Sequence, residues 1–370
     1  MEDIPFNTRP NHGGNVEWAA QVARCSPHDL LDFSASINPL GPPDSAIAAI
    51  HNNLDQLSRY PNPDYSTLKQ ALAHHHGISP AWILPGNGAA ELLTWAARSL
   101  AELEAVYFFT PAFGDYQRSL TTFNAPTVAC PISLTAAENN AVDWVTTLHQ
   151  QLCHASNRCG LLLNTPHNPT GLVIPLDLLT ELLETFALVV VDEAFMDFLP
   201  PEAQCSLIDQ IERWPNLIVL RSLTKFYSLP GLRLGYAIAH PDQLQCWQQW
   251  RDPWPVNILA AAVGAAVLQD HDYQQQTWEW LATARSKLFE QLQAIPGLHP
   301  LPGQANYLLI RCDRPGSQLQ LDLLKQHRIL VRDCLSFPEL GDRYIRVAVR
   351  SAKENAILVK ALTQCKTIPS

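Results

Sequence analysis

Lys225 is the residue whose surroundings point most directly to chemistry. It closely follows an apolar run, Leu217–Leu220, that has the length and composition of a buried strand. A lysine among apolar residues loses hydration, which lowers the pKa of its ammonium group and leaves a neutral amine that can form a Schiff base with a carbonyl compound. A surface loop with incidental charges would give the same residues, so Lys225 alone does not decide between the two interpretations.

Polar side chains on both sides of Lys225 could bind an anion. Arg233 follows in a turn that contains glycine, where the backbone can approach a phosphate closely. Ser222 and Thr224 add hydroxyl donors on the other side. The segment therefore combines a possible nucleophilic amine with possible ligands for a phosphate group.

Asp192 ends a second apolar run, Leu188–Val191. Ligands bind at the carboxyl ends of parallel strands, and a carboxylate buried there is unfavourable unless it has a partner. The protonated ring nitrogen of a bound pyridine cofactor would be such a partner. The alternative is that Asp192 caps the N-terminus of a helix.

Asn168 belongs to a third segment, Asn164–Gly171, with the sequence NTPHNPTG. The segment follows another apolar run, Leu161–Leu163, so its polar side chains would reach the same edge of a sheet. A turn that serves only folding would contain the same prolines and glycine. On its own this motif does not distinguish a ligand site from a turn that serves only folding.

Together these three segments resemble the fold-type I pyridoxal-phosphate (PLP) enzymes of the aspartate-aminotransferase superfamily. The resemblance rests on the order Asn-Pro-Thr-Gly, then Asp192, then Ser-x-x-Lys with Arg233 eight residues after the lysine. It extends from the N-terminal region to Arg346. It implies that Lys225 carries PLP as a Schiff base and moves protons, that Asp192 pairs with the pyridine nitrogen, and that Asn168 contacts the phenolic oxygen.

The resemblance also implies how the cofactor phosphate is held. Arg233, Ser222 and Thr224 would bind it together with the segment Gly86–Glu91, which matches the phosphate loop of the superfamily and would begin a helix. Within that segment Gly88, Ala89 and Ala90 would contact the phosphate. The two alanines have no side-chain donor, so we expect the backbone N–H groups to bind the anion.

Further matches concern the ring, the substrate and a second subunit. The resemblance implies that Phe113 stacks on the cofactor ring and that Arg346 binds the substrate carboxylate. Tyr60 matches a tyrosine that reaches the cofactor phosphate of a neighbouring subunit, which implies a homodimer with shared active sites. Phe113 could instead be an ordinary core residue.

Two subfamilies match best, the threonine-phosphate decarboxylases of cobalamin biosynthesis and the histidinol-phosphate aminotransferases. Both act on small phosphorylated substrates, and Arg332 is the extra cation that such a phosphate requires, with His12 and Arg9 as weaker candidates. The segments around His12, Asn38 and Arg332 resemble the decarboxylases, which implies that these three residues bind the substrate together with Arg346. Phe195 stands where the aminotransferases usually have tyrosine. We therefore expect decarboxylation of L-threonine O-3-phosphate to (R)-1-amino-2-propanol O-2-phosphate, with aminotransfer as the alternative.

These residues must be positioned by an α/β fold. Short apolar runs alternate with helical stretches near 44–57, 65–76 and 88–101, which indicates a mostly parallel sheet between helices. We expect an N-terminal arm at 1–43 that packs on the small domain, a large PLP-binding domain at 44–255, and a smaller α+β domain at 256–370. Strands in the small domain are expected near Tyr307–Arg311, Ile329–Val331 and Tyr344–Val349.

Composition limits the class of protein. The formal net charge of -10 argues against nucleic-acid or anionic-membrane partners, and there is no apolar run long enough to span a membrane. The nine cysteines show no C-x-x-C pair, so we expect reduced thiols, no metal site and a cytoplasmic location. Because Lys225, Asp192 and Arg233 are all present, we expect an enzyme rather than a binding protein of the same fold.

Overall fold

The computed structural model describes residues 9–134, 148, 150–152 and 155–365. Cys153 lies outside these residues, and the eight other cysteines are free thiols. The strands are β1 Leu31–Asp32, β2 Ile83–Asn87, β3 Val106–Thr110, β4 Thr127–Pro131, β5 Gly160–Asn164, β6 Leu188–Asp192, β7 Leu217–Ser222, β8 Leu234–Ala239, β9 Leu298–Pro300, β10 Tyr307–Cys312, β11 Ile329–Leu330 and β12 Tyr344–Ala348.

The described helices cover both faces of the main sheet and form much of the C-terminal part. They are α1 Val16–Ala23, α2 Asp44–Asn52, α3 Ser66–His76, α4 Ala89–Leu100, α5 Gly114–Thr122, α6 Leu176–Thr185, α7 Leu223–Phe226, α8 Pro241–Trp250, α9 Ile258–Val267, α10 His271–Gln293, α11 Gly316–His327 and α12 Ala352–Gln364. Within the described ranges, no helix has the length and apolar character needed to cross a membrane.

The main sheet has seven strands in the order β2-β8-β7-β6-β5-β3-β4. Strand β8 runs antiparallel to both of its neighbours, and the other pairs are parallel. This confirms the predicted α/β class with a mostly parallel sheet between helices.

The buried strand β6 shows why apolar runs form the centre of this sheet. Val189 and Val191 face one hydrophobic core cluster, whereas Val190 faces the cluster on the opposite side. Successive side chains of a strand point to opposite faces, so a strand covered on both sides is apolar at every position. The run then ends in Asp192, where the sheet edge reaches the cavity.

The C-terminal part has an antiparallel sheet in the order β12-β10-β9. The N-terminal segment packs on it, since β1 pairs with β11 in parallel and Trp18 of α1 shares a hydrophobic cluster with Leu324 and Leu330. Helix α9 lies on the main-sheet side, where Gly264 is in close contact with Leu68 and Leu234. The predicted domain boundaries at 43/44 and 255/256 stay a prediction.

The structure differs from the sequence-based expectations in two details. The helix expected over 44–57 ends at Asn52, and a 3-10 turn over Leu54–Ser58 follows it. The sequence analysis also did not identify strands β2 and β4 at the two edges of the main sheet. Strand β2 contains Pro85 and Gly86, and most of β4 is exposed, so neither has the apolar pattern of a central strand.

Two histidines, the half-buried His76 and the buried His167, make the fold sensitive to acid. Burial lowers the pKa of His76 to about 2 and that of His167 to about 3. Unfolded histidine titrates near pH 6.5, so below that pH the unfolded chain binds protons that the folded chain does not. Each histidine therefore reduces the free energy of unfolding as pH falls from about 6.5, by up to about 1.4 kcal/mol per pH unit.

We predict that His76→Gln flattens this dependence. Between about pH 4 and pH 6, the free energy of unfolding of the variant should fall less steeply than that of the wild type, by up to about 1.4 kcal/mol per pH unit. Urea denaturation at several pH values measures the slope. His51→Gln, at an exposed position, is the control and should keep the wild-type slope. Equal slopes for His76→Gln and wild type would contradict the prediction.

Candidate active site

A cavity of about 410 Å³ opens at the carboxyl ends of the central parallel strands. The register of β5 and β6 places Asn164 beside Asp192, and β7 leads directly into α7, which carries Lys225. The sequence-predicted residues that line this cavity are His12, Phe113, Asn168, Asp192, Lys225, Arg233, Arg332 and Arg346. The fold therefore brings eight predicted site residues, from distant parts of the chain, to one place.

Lys225 lies on the short helix α7, whose N-cap is Ser222. Its Nζ atom is 3.4 Å from the Ser222 hydroxyl and 5.1 Å from the centre of the Phe195 ring. Burial lowers the pKa of the Lys225 ammonium group, and the nearby Asp192 carboxylate opposes that shift. The apolar surroundings thus favour the neutral amine that a nucleophilic lysine needs.

Asp192 is held by a partner that the sequence analysis missed. The Tyr116 hydroxyl donates to Asp192 Oδ2 at 2.8 Å, and the Ala194 N–H donates to Oδ1 at 3.0 Å. Burial raises the pKa of Asp192, whereas Lys225, Tyr116 and the Ala194 N–H oppose the rise. Tyr116 lies one helical turn after Phe113 at the start of α5, and this spacing is the signal that could have identified it.

The N-terminus of α4 lies beside Arg233, an arrangement suited to an anion. Gly88 has a φ of 76° and, as the N-cap residue, provides no side-chain acceptor, which leaves the N–H groups of Ala89 and Ala90 available to an anion. A Cβ atom at Gly88 would lie only 2.6 Å from Arg233 Nη2, so only glycine permits this approach. The predicted phosphate ligands of this helix end and the guanidinium are therefore adjacent.

Ser222 and Thr224 are buried close to Lys225. Their hydroxyl groups are 2.8 Å apart and hydrogen-bonded to each other. The Ser222 hydroxyl also accepts from the Thr224 N–H at 3.4 Å, which starts the helix that carries Lys225. In this arrangement the two hydroxyls order the lysine helix, and their predicted contact with a phosphate stays a prediction.

Arg346 is a buried guanidinium on β12 without a carboxylate partner among the described residues. It donates to Asn168 Oδ1 and to the Ser34 carbonyl, and it lies over the Tyr307 ring at 4.8 Å. Its Nε atom is buried and has no hydrogen-bond partner. A buried cation that lacks a counter-ion is unfavourable, so the site is suited to an anion supplied by a ligand.

Arg332 is a second buried guanidinium, joined to Arg346 through the backbone. The two residues exchange N–H···O bonds of 3.0 and 2.8 Å. Arg332 donates to the carbonyls of Pro10 and Asn11, the former at 3.1 Å, and to the Ser336 hydroxyl. All three acceptors are neutral. The cavity therefore holds two guanidinium groups, those of Arg332 and Arg346, whose hydrogen-bond acceptors carry no charge.

The remaining predicted residues are placed differently. His12 lies over the cavity with its ring centre 5.8 Å from that of Phe113. Asn38 is buried, and its amide donates to the Phe226 carbonyl and the Thr277 hydroxyl, so the structure does not bring it to the cavity wall. Tyr60 is 77% exposed and packs against Trp254, with the ring centres 4.6 Å apart, outside the cavity of its own chain.

Comparison with known proteins agrees with this geometry. The sequence model of aminotransferase class I and II matches residues 28–362. The chain belongs to the aminotransferase class I and II family. The sequence is 42% identical to a threonine-phosphate decarboxylase from Salmonella typhimurium over 96% of both chains. It is 32% identical to histidinol-phosphate aminotransferase 2 from Ralstonia nicotianae, over 94% of this chain and 90% of that one.

A solved structure shows the same architecture. The histidinol-phosphate aminotransferase from Clostridium acetobutylicum superposes with a TM-score of 0.82 at 26% identity, covering 91% of this chain and 99% of that chain. The family depends on PLP, and the residues in and beside the cavity fit this cofactor. Lys225 offers an amine of lowered pKa, Asp192 a carboxylate, and the α4 N-terminus with Arg233 an anion pocket.

Replacement of two buried arginines, Arg221 and Arg346, should affect the stability of the protein differently. Arg221 is 2% exposed and pairs with Glu193 at 2.8 Å and with Asp197 at 2.5 Å. Arg221→Met leaves the buried Glu193 carboxylate with its hydrogen bonds from Ser206 and Leu207 but without a counter-ion, and should lower the free energy of unfolding by about 3–5 kcal/mol. Arg346→Met removes a cation without a counter-ion and should change it by less than about 1 kcal/mol. Urea denaturation of the cofactor-free protein compares them, and equal losses would contradict a ligand-binding role for Arg346.

Proposed function

We propose that the protein is a PLP-dependent carboxy-lyase that converts L-threonine O-3-phosphate to (R)-1-amino-2-propanol O-2-phosphate and carbon dioxide. One observation carries the proposal: the cavity beside Lys225 holds two buried guanidiniums, Arg332 and Arg346, that lack carboxylate partners among the described residues. The substrate supplies two anions, a carboxylate and a phosphate. The 42% identity to a threonine-phosphate decarboxylase supports the same substrate.

The two arginines would divide the substrate between them. Arg346 lies beside Asn168 and can bind the carboxylate, and Arg332 lies at the arm side of the cavity and can bind the phosphate. Guanidinium groups form paired hydrogen bonds with both kinds of anion. Because both arginines are buried, their interaction with an anion is screened little by water. Substrates that lack the phosphate should therefore bind much more weakly.

The chain's own residues position the reaction. When bound, PLP would supply an electron sink for the bond at the substrate α-carbon that is broken. Asp192, fixed by Tyr116, can hold a proton on the ring nitrogen, and Phe113 can pack on the ring face. Arg346 would hold the substrate carboxylate and so determine which bond at the α-carbon is broken. Lys225, the amine that would hold the cofactor, can deliver a proton to the α-carbon after carbon dioxide leaves.

Amino transfer from histidinol phosphate to 2-oxoglutarate is the second candidate reaction. It has the same requirement for a lysine, an arginine for a carboxylate and a cation for a phosphate, and the 32% identity to a histidinol-phosphate aminotransferase favours it. Phe195 argues against it, because phenylalanine offers no hydroxyl to the cofactor ring at the position where those enzymes usually have tyrosine. The greater identity to the decarboxylase leads us to prefer decarboxylation.

A homodimer with shared active sites is part of the proposal. Tyr60 and Trp254 form an exposed aromatic pair, outside the cavity of their own chain. Exposed large apolar side chains also occur close to Tyr60 in the sequence, namely Leu40, Ile47, Leu54 and Leu57. Apolar surface of this kind is typical of subunit contacts. We further propose a cytoplasmic location, which the free cysteines support.

The reaction is tested with purified, cofactor-loaded protein. We expect release of carbon dioxide from L-threonine O-3-phosphate, and Arg332→Ala should raise KM by about 100-fold because a buried charge contact is lost. Arg328→Ala is the matched control: Arg328 is exposed and pairs with Asp29 at the surface, so its loss should leave KM unchanged. Amino transfer from histidinol phosphate to 2-oxoglutarate without carbon dioxide release would contradict the proposal.

A further inference from the structure

Asp333 follows the proposed phosphate ligand Arg332 directly in the chain. It is buried, and its negative charge opposes the lowering of the Arg332 pKa by burial. Yet the Asp333 carboxylate does not bind Arg332. It accepts a hydrogen bond of 2.7 Å from Arg9 on the N-terminal arm. Asp333 and Arg332 therefore have different hydrogen-bond partners, although they are neighbours in the chain.

Arg9 is fixed by more than this ion pair. It also donates to the Gln320 side chain at 2.9 Å and to the Ser317 carbonyl at 3.3 Å, both near the N-terminal end of α11. The side chains of Arg9 and Asp333 are only 12% and 7% exposed, so solvent screens the pair little. The arm residues that follow, Pro10 and Asn11, supply the carbonyls that hold Arg332.

A phosphate that enters the cavity would be repelled by an uncompensated Asp333. Like charges repel each other, and the repulsion is several times stronger in surroundings of low polarity than in water. Without Arg9, Asp333 would also compete with the phosphate for the Arg332 guanidinium. A cation on Asp333 removes both effects and leaves the charge of Arg332 available to a ligand.

We propose that Arg9 is a specificity-determining residue that acts through Asp333. It neutralises that carboxylate, so that Arg332 recognises a phosphorylated substrate, although Arg9 itself does not line the cavity. The proposal rests on the proposed function, in which Arg332 binds the substrate phosphate. A different role would be mechanical, in which Arg9 only fastens the arm to α11 and the charge of Asp333 is irrelevant.

Binding of inorganic phosphate to the cofactor-loaded protein separates these roles. The loaded protein is used because the cofactor phosphate then fills the anion pocket at α4 and Arg233. Isothermal titration calorimetry gives the Kd for phosphate, and steady-state kinetics with L-threonine O-3-phosphate give KM and kcat separately. Arg9→Ala should weaken phosphate binding and raise KM by about tenfold, with kcat changed by less than about twofold.

The charge of Asp333 provides the decisive comparison. Arg9→Ala/Asp333→Asn removes both charges and should restore the Kd to within about threefold of wild type. Arg9→Lys keeps the charge and should do the same. Arg314→Ala, which breaks a more exposed ion pair with Asp322 on α11, is the control and should leave the Kd unchanged. The double variant stays informative even if Arg9→Ala folds poorly.

Two results would overturn the proposal, and they differ in what else they affect. If Arg9→Ala/Asp333→Asn binds phosphate as weakly as Arg9→Ala, the arm contact is mechanical and only the role assigned to Arg9 fails. If Arg332→Ala itself leaves phosphate binding intact, the phosphate site assigned under the proposed function fails, and the role of Arg9 fails with it.

Discussion

The burial of charged groups around one cavity is the constraint on which the rest of this structure depends. Lys225 and Asp192 lie at the ends of the paired strands β7 and β6, in surroundings that disfavour the charged form of each. Such groups remain only where the surrounding fold fixes them. Here β6 and β7 are apolar on both faces, and Tyr116 satisfies one oxygen of the carboxylate. The interior of the main sheet thus supplies both the rigidity and the low polarity that a reactive lysine requires.

The arginines extend the same principle to the substrate. Arg221 shows how the fold stabilises a buried cation when a ligand is not involved, through Glu193 and Asp197. Arg346 and Arg332 have only neutral acceptors for their guanidinium groups within the described part of the chain. This difference separates a structural cation from one reserved for an anion. It also explains why the N-terminal arm matters, since its carbonyls hold Arg332 and its Arg9 occupies the neighbouring carboxylate.

The sequence predicted those parts of the site in which chemistry follows directly on a strand. Asp192 after Leu188–Val191, Lys225 after Leu217–Leu220 and Asn168 after Leu161–Leu163 all lie at the cavity, because parallel strands end at one edge of the sheet. The central strands were predictable for a related reason, since residues buried on both faces form continuous apolar runs.

What could not be predicted depends on contacts between distant residues. Arg346 and Arg332 are held by backbone carbonyls, that of Ser34 and those of the N-terminal arm. Every residue type has a backbone carbonyl, so the sequence does not indicate which of them will accept these hydrogen bonds. Asn38 shows another contact of this kind. The resemblance implies a substrate-binding role for it, whereas in the structure its amide donates to the Thr277 hydroxyl and to the carbonyl of Phe226, which is next to Lys225 in the chain.

The central claim is that Lys225 holds the cofactor covalently. The most direct test is to reduce the cofactor-loaded protein with borohydride, which fixes the linkage, and to locate the added mass by peptide mass spectrometry. The account predicts that the mass lies on the peptide that contains Lys225 and is absent from Lys225→Ala treated in the same way. Modification at another lysine, or no covalent modification of the wild-type protein, would contradict it.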